Sequence, residues 1–309
     1  MTSVAIESIN LTKKYGEFTA LDNINLSINK GEIFGILGPN GAGKSTFINI
    51  ISTLLSPTSG EVYIYGYNVK REKQYIRKII ALVPQDLAVD FLLTVEDNLY
   101  FYGSLHGVPR RELKKRIEQV SKEFGLESKI RDAVLTLSGG QCRRLMLARV
   151  FLAKKELLIL DEPTLGVDVE GKQYIWKSLK SLVKFSNNEI TVLVATNDMK
   201  EAEELCDRIA FIKEGHIIAL DTPHLLKAIV GSTAIKVTID NSTLSNNWYR
   251  HIPEAKDISL EGDAITFFIE KTDESLLKAL NYIKDYTLIK QISIREPSLE
   301  DVFLRFITN

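Results

Sequence analysis

The sequence predicts an α/β chain with a parallel-sheet core, an antiparallel β subdomain and a helical subdomain, followed by a small α+β domain. Three observations predict it. The apolar runs IFGILG (Ile33 to Gly38), LLILDEP (Leu157 to Pro163) and ITVLVAT (Ile190 to Thr196) have strand length and are separated by helical patterns. That is how buried parallel strands with crossover helices read. ALDNINLSI (Ala20 to Ile28) and GEVYIYG (Gly60 to Gly66) have the look of antiparallel strands. The composition then shifts near Ile229 to Ser232, and a second set of strand and helix patterns follows.

Leu92 to Leu126 carries no clear strand and reads as helical. Thr94 with Asp97 forms a capping box that lacks the usual longer acid. RRELKKRIEQVSKEFGL places Leu113, Ile117, Val120 and Phe124 at helix spacing, so its many charges read as a solvated face. The aromatic run Tyr100, Phe101 and Tyr102 is assigned to core packing over a partner groove. In the tail, TAIKVTID, AITFFIE and LIKQISIRE read as strands, and DESLLKALNYIKDY as a helix. The last helix starts at Ser298 as N-cap, with Asp301 three residues on, and Leu299, Val302, Phe303, Phe306 and Ile307 form one stripe. The predicted domains are 1–230, with the helical subdomain at about 88–150, and 231–309.

The 309 residues are 45% hydrophobic and 26% charged, an ordinary globular composition, with a formal charge of −1. That balance argues against bulk binding to nucleic acid. Cys142 and Cys206 follow no metal-ligand or disulfide spacing and read as free thiols in a reducing, cytoplasmic compartment. The N-terminus lacks the apolar core of a signal peptide. No apolar run approaches the ~20 residues a membrane helix needs. Any membrane role must therefore come through a partner.

GPNGAGKST, Gly38 to Thr46, matches G-x-x-x-x-G-K-[ST] and lies between a strand and a helix, the context that motif requires. Gly38, Pro39, Asn40, Gly41, Ala42, Gly43, Lys44, Ser45 and Thr46 are the candidate phosphate cradle. Gly41 and Gly43 let backbone amides turn inward, and the following helix points its positive end at the same anion. Lys44 is placed to reach the β- and γ-phosphates of ATP, and the Ser45 hydroxyl to ligate Mg²⁺. In LLILDEP, Asp161 ends a buried strand, where ligands lie in open α/β sheets. It is a candidate Mg²⁺ group, acting through water. Glu162 follows it, as base or as positioning group for attacking water. LSGGQ, Leu137 to Gln141, precedes a helix beginning about CRRLMLARVFL and is a second anion site. Two sites in one chain could bind two ligands, or each could supply half of a site shared by two chains.

With these motifs in this order, the chain resembles the ABC ATPases, the motor subunits of ATP-binding cassette transporters, over most of Ile6 to Asp221. The resemblance implies a P-loop core and two cassettes packed head to tail. Ser138 to Gln141 of one would then close over the ATP held by the glycine loop of the other, with Ser138, Gly139 and Gly140 meeting the γ-phosphate. It implies adenine stacking by Tyr15, with Phe18 a nearby rival. It implies that Gln85 of ALVPQD contacts Mg²⁺ and reports the γ-phosphate to the helical region. Asp168 in TLGVD corresponds to an aspartate that crosses the interface, although an acid at a helix start is also favoured by the dipole alone. Val167 stands where leucine is commoner, and Cys142 reads as a tolerated surface variant.

The same likeness places Asn197, in VLVATNDMKEAEELCD, where the family has a switch histidine. Asparagine is shorter but keeps an NH₂ donor. Two outcomes follow: slowed hydrolysis, or a dimer clamped by ATP with hydrolysis left to a different partner chain. Intact Glu162, Asp161, Gln85 and Lys44 favour the first. The tail EPSLEDVFLRFI and the stretch VPQDLAVDFLLTVEDNLYFYGSLHGVP are similar to drug, antibiotic and polysaccharide exporters. The implied assembly is a homodimer, or a heterodimer with a second cassette, on a separate membrane permease at the inner face of the cell membrane. The alternative is a soluble switch protein that clamps a non-membrane partner.

Overall fold

The computed structural model describes residues 4–186, 189–231, 233–240, 247–270 and 273–308. Ser232, at the composition shift, and the Ile307 side chain, in the last apolar stripe, lie outside what is described. The chain forms two compact units, residues 1–220 and 221–309.

The first unit begins with β1 (Val4–Tyr15), β2 (Phe18–Asn29), β3 (Ile33–Leu37), α1 (Lys44–Ile51), β4 (Ser59–Ile64), β5 (Tyr67–Asn68), α2 (Lys73–Ile79) and β6 (Ile80–Val83). Its helical part holds α3 (Val95–Leu105), α4 (Arg110–Glu123) and α5 (Gly139–Ala153). Then come β7 (Leu157–Asp161), α6 (Val169–Phe185), β8 (Thr191–Thr196), α7 (Met199–Leu205), β9 (Arg208–Lys213) and β10 (His216–Asp221). One sheet runs β2-β1-β4-β5 and the other β10-β9-β3-β8-β7-β6. In the second, β3 pairs parallel with β8 and β9, and β7 pairs parallel with β8 and β6. Every residue of β3, β7 and β8 is buried. That is why they read as unbroken apolar runs rather than alternating ones.

One core joins both sheets to α1. Ile6, Leu21, Ile28 and Val62 of the antiparallel sheet and Phe34, Ile159 and Leu193 of the parallel sheet belong to it, with Phe47, Ile48 and Ile51 of α1. The helix that follows the glycine loop is thus held by both sheets. β1 is not legible in the sequence because its register slips at three places between Val4 and Lys13, and Asn10 takes a left-handed φ of 50°. Such bulges erase a period of two.

In the helical part, Thr94 Oγ1 accepts from Asp97 N at 3.1 Å and donates to its carboxylate at 2.6 Å. α4 buries Leu113, Ile117 and Val120 and turns its charges outward, as predicted. Core packing fails for two of the three aromatics: Tyr100 is 43% exposed and Phe101 63%. α3 instead buries Val95, Asn98, Leu99 and Gly103. A Cβ on Gly103 would sit 2.5 Å from Leu113 Cδ1, so the helices approach closely on that face and positions 100 and 101 turn away. Cys142 is also not a surface residue: it is 2% exposed, because α5 is buried over most of its circumference. Burial pushes its thiol pKa up, and that of Cys206 well up, so neither is an activated nucleophile.

The second unit contains α8 (Pro223–Ala228), β11 (Thr233–Ile239), β12 (Lys256–Glu261), β13 (Ala264–Ile269), α9 (Asp273–Tyr286), β14 (Ile289–Arg295) and α10 (Leu299–Thr308). Its sheet runs β12-β13-β11-β14, and Ala279 and Ile283 of α9 share a core with Ile235, Val237, Ile265 and Phe267. β12 went unread because KDISLE is short, polar and interrupted by Asp257 at φ 47°. α8 packs against α10 and so belongs to this unit, which begins at Asp221 rather than at 231.

α10 starts as predicted. Asp301 accepts from Ser298 N at 2.8 Å, and Ser298 Oγ accepts from Asp301 N at 3.4 Å. Arg295 grips the same carboxylate through both terminal nitrogens, at 2.6 and 2.8 Å. Burial works upward on the Asp301 carboxyl, but Arg295 and Ser298 outweigh it and hold the pKa below the ordinary value. The stabilisation is therefore present above the unfolded aspartate pKa and is lost as pH falls through the depressed native one. Asp301→Ala is expected to cost this unit about 2 kcal/mol, from the lost cap and charge-assisted pair. Denaturant unfolding of the full chain measures it, and a loss under about 0.5 kcal/mol would place the pair among inconsequential surface contacts.

Candidate nucleotide-binding site

The glycine loop joins the end of β3 to α1. A Cβ on Gly38 would lie 2.2 Å from Ile212 O, and one on Gly43 2.6 Å from Ala20 O. Gly41 and Gly43 take φ values of 81° and 110°. Space or backbone angle thus requires glycine at all three. Pro39 and Asn40 are exposed at the loop tip, and Ala42 N closes the turn on Pro39 O at 3.2 Å. No side chain caps α1, so the amides of Lys44, Ser45 and Thr46 face the loop as a ready anion site.

Lys44 is buried. Its Nζ donates to Gly38 O at 2.8 Å and Pro39 O at 3.2 Å, and lies 3.7 Å from Glu162 Oε1. Burial lowers its pKa, against the pull of Glu162 and then Asp161. Asp161 ends β7 and is likewise buried. Burial raises its pKa, and the neighbouring Ser45 hydroxyl works the other way. Its Oδ1 has no hydrogen-bond partner.

Glu162, the next residue, adopts a left-handed φ of 50° and donates its N–H to Ala195 O at 2.8 Å. A bulky residue held there costs about 1–3 kcal/mol, the kind of strain that clusters at functional sites. Burial raises its carboxyl pKa, opposed by Lys44 and by the backbone N–H of Asn197. Thr196 Oγ1 donates to Glu162 Oε2 at 3.4 Å and accepts from Asp198 N at 3.0 Å. Behind it lies Glu201, 1% exposed, which accepts from Trp176 Nε1 at 3.1 Å. Burial raises its carboxyl pKa, opposed by the neighbouring Thr196, Thr164 and Trp176 side chains. Asn197 is exposed and meets Glu162 through its backbone N–H.

Gly38 to Thr46, Asp161, Glu162 and Asn197 thus converge at the carboxyl ends of the adjacent strands β3, β7 and β8. Gln85 follows β6, the neighbour of β7, and is exposed. The other candidates lie apart. Among the described residues no hydrogen bond or ion pair joins Tyr15, Ser138 to Gln141, or Asp168 to the glycine loop. Tyr15 and Phe18 face each other across the β1–β2 turn, 48% and 64% exposed, so Tyr15 is not a core tyrosine. Lys13 Nζ lies over the Tyr15 ring at 5.1 Å. Exposed Asp168 caps α6, accepting from Gly171 N at 2.8 Å.

Ser138 caps α5, which begins at Gly139, three residues before the predicted Cys142. Ser138 Oγ accepts from Gln141 N at 3.3 Å and Gln141 Oε1 accepts from Ser138 N at 2.9 Å. A Cβ on Gly139 would meet nothing within 4 Å. The chain's own packing does not demand glycine there.

Residues 21–165 match the ABC transporter family model, and residues 222–307 match the C-terminal domain of DrrA1-3-like ATP-binding proteins. The linearmycin resistance ATP-binding protein LnrL of Bacillus subtilis is 34% identical, over 97% of this chain and 97% of its own. This chain belongs to the ATP-binding subunits of ABC transporters. The daunorubicin resistance ATP-binding protein DrrA3 of Streptomyces coeruleorubidus (34% identity, 98% and 96% covered) and the Nod factor export ATP-binding protein I of Rhizobium johnstonii (35%, 99% and 95%) are similar over the same span. Among solved structures, a dimeric ATP-binding cassette in a post-hydrolysis state bound to ADP and Pi matches with a TM-score of 0.64 at 33% identity. It spans 70% of this chain and 98% of its own. The subunit is an ATPase of exporter type, coupled to transport.

Sequence reasoning missed the side chains that surround this candidate site: Arg143, Thr196, Glu201, Thr164 and Trp176. A signal existed for Glu201, an acid in the first turn of KEAEEL directly after the switch strand, and for Arg143, directly after LSGGQC. Mg²⁺ suits the donor set. A carboxylate oxygen without a hydrogen-bond partner beside a serine hydroxyl offers hard oxygens, and Mg²⁺ takes few protein ligands, with phosphates and waters supplying the rest.

Proposed function

We propose that the subunit hydrolyses MgATP in a head-to-tail nucleotide-sandwich dimer, each site made from the glycine loop of one copy and Ser138 to Gln141 of the other. Open space at Gly139, on an α5 terminus with no bond to its own glycine loop, carries this reading. When bound, Mg²⁺ would supply charge neutralisation at the phosphates, and Ser45, Asp161 and Gln85 would hold it. Lys44 exchanges its carbonyl and carboxylate partners for phosphate oxygens. Glu162 orients the attacking water and takes its proton, and Asp168 and Tyr15 serve the facing copy and the adenine ring. The partner cassette is a second copy, or a different one in a heterodimer.

The permease is a separate membrane protein. No helix among the described residues is long and apolar enough to cross a membrane. Exposed Leu87, Phe91, Leu92, Tyr100, Phe101 and Leu105 offer the helical subdomain as its docking face, on the cytoplasmic side. Co-purification of a polytopic membrane protein with the detergent-solubilised subunit tests the motor; a soluble partner alone would favour the switch protein.

Asn197 sustains slow turnover, because its main-chain donor to Glu162 needs no particular side chain while the amide replaces the histidine donor in part. Asn197→His is expected to raise kcat about tenfold, a share of the roughly 10²–10³ that one such donor provides. Steady-state ATPase assays measure it, and an unchanged or lower kcat contradicts the assignment.

A further inference from the structure

The loop that carries Gln85 is fastened by arginines from the helix that carries the serine–glycine turn. Arg143, 3% exposed, donates from Nη1 to Pro84 O at 2.9 Å and from Nη2 to Gln85 O at 2.6 Å. Farther along α5, Arg149 donates from Nη1 to Ala88 O, and its guanidinium lies over the Tyr102 ring of α3 at 4.5 Å. Three carbonyls of one short loop are thus bound to two side chains of one helix. Both arginines bury an Nε without a partner, so neither is placed for its own best hydrogen bonding.

The Arg143 guanidinium also lies in the field of Asp161, Asp86, Glu162 and Glu201. It therefore stands between three parts of the site: α5 just past its first turn, the Gln85 loop and the carboxylates at the end of β7. Its forked donors grip two successive carbonyls at fixed spacing, which a lysine, with one rotating ammonium, cannot reproduce.

We propose that Arg143 is a positioning residue that, with Arg149, makes the Gln85 loop and the Ser138–Gln141 turn move as one body. A displacement of Gln85 by nucleotide is then delivered to the turn that faces the second copy, instead of being absorbed in the loop. The coupling rests on the sandwich reading, whereas the clamp itself is a property of the nucleotide-free chain.

The test compares wild type, Arg143→Ala and Arg143→Lys as full-length protein, with Arg149→Lys as a second, milder lesion. A nitroxide label at Leu87→Cys is read for mobility without nucleotide, and hydrogen exchange is read along α5. Arg143→Ala is expected to raise the mobility of the label while α5 beyond its first turn keeps wild-type protection. With MgATP, kcat is expected to fall roughly ten- to hundredfold, as a misplaced group allows, with KM within about twofold. Arg143→Lys should recover part of kcat and not all of it. Unchanged label mobility overturns the clamp, as does a fall in melting temperature that carries KM and kcat down together. If Arg143→Ala does not fold, Arg143→Lys and Arg149→Lys decide by the same readouts. If wild type shows no MgATP-induced protection at 138–142, the sandwich reading has failed, and label mobility still judges the clamp.

Discussion

Glu162→Gln is expected to reduce Mg²⁺-dependent ATP turnover by about 10²- to 10⁴-fold, the usual worth of a positioned base, while nucleotide still binds. The substitution is nearly isosteric, so the strained turn that holds Glu162 against Ala195 O remains. Thr196 Oγ1 and the Asn197 N–H still find an acceptor in the amide oxygen. What goes is a group able to take a proton. Lys44 also loses the carboxylate 3.7 Å away, which competes with phosphate for its ammonium, so affinity for ATP should hold or rise. Steady-state hydrolysis and equilibrium nucleotide binding separate the two effects. Equal turnover in wild type and variant would remove Glu162 from the chemistry.

Gly139→Asp is expected to leave the isolated chain intact and to cut turnover about a hundredfold or more, comparable to loss of a transition-state donor. A side chain there enters open space, and the φ of Gly139 is not left-handed. An acid in the first turn of α5 favours the helix by about 0.3–1 kcal/mol, so the melting temperature should hold or rise slightly. The same charge would face the triphosphate bound by the other copy. MgATP affinity of the single chain should be unchanged, because no bond links this turn to its own glycine loop. Wild-type turnover by the variant would mean that the turn does not meet nucleotide. Loss of folding would mean that Gly139 is needed locally after all.

The glycine-loop part of the candidate site was legible because its motif ties residue type to backbone geometry. Gly38, Gly41 and Gly43 are where a side chain would clash or φ is positive, and Asp161 ends a strand whose every residue is buried. What stayed hidden is polar and buried. Arg143, Thr196 and Glu201 break no periodicity: charged and hydroxyl residues on a helix or strand end look the same whether they face water or brace a buried carboxylate. Bulges hid β1, and a polar edge hid β12. Tyr100 and Phe101 misled because hydrophobicity alone does not tell a buried face from an exposed one. Gly103, which brings α3 close to α4, decides that, and its role depends on a contact with Leu113 ten residues on.

In the proposed dimer, one subunit owns half of each ATPase site. The direct measurement is the mass in solution of Glu162→Gln at saturating MgATP, by light scattering or sedimentation. A species of twice the 34.8 kDa chain is expected, falling back to one chain without nucleotide or when Gly139→Asp is added. A strictly monomeric Glu162→Gln that binds MgATP fully would contradict it.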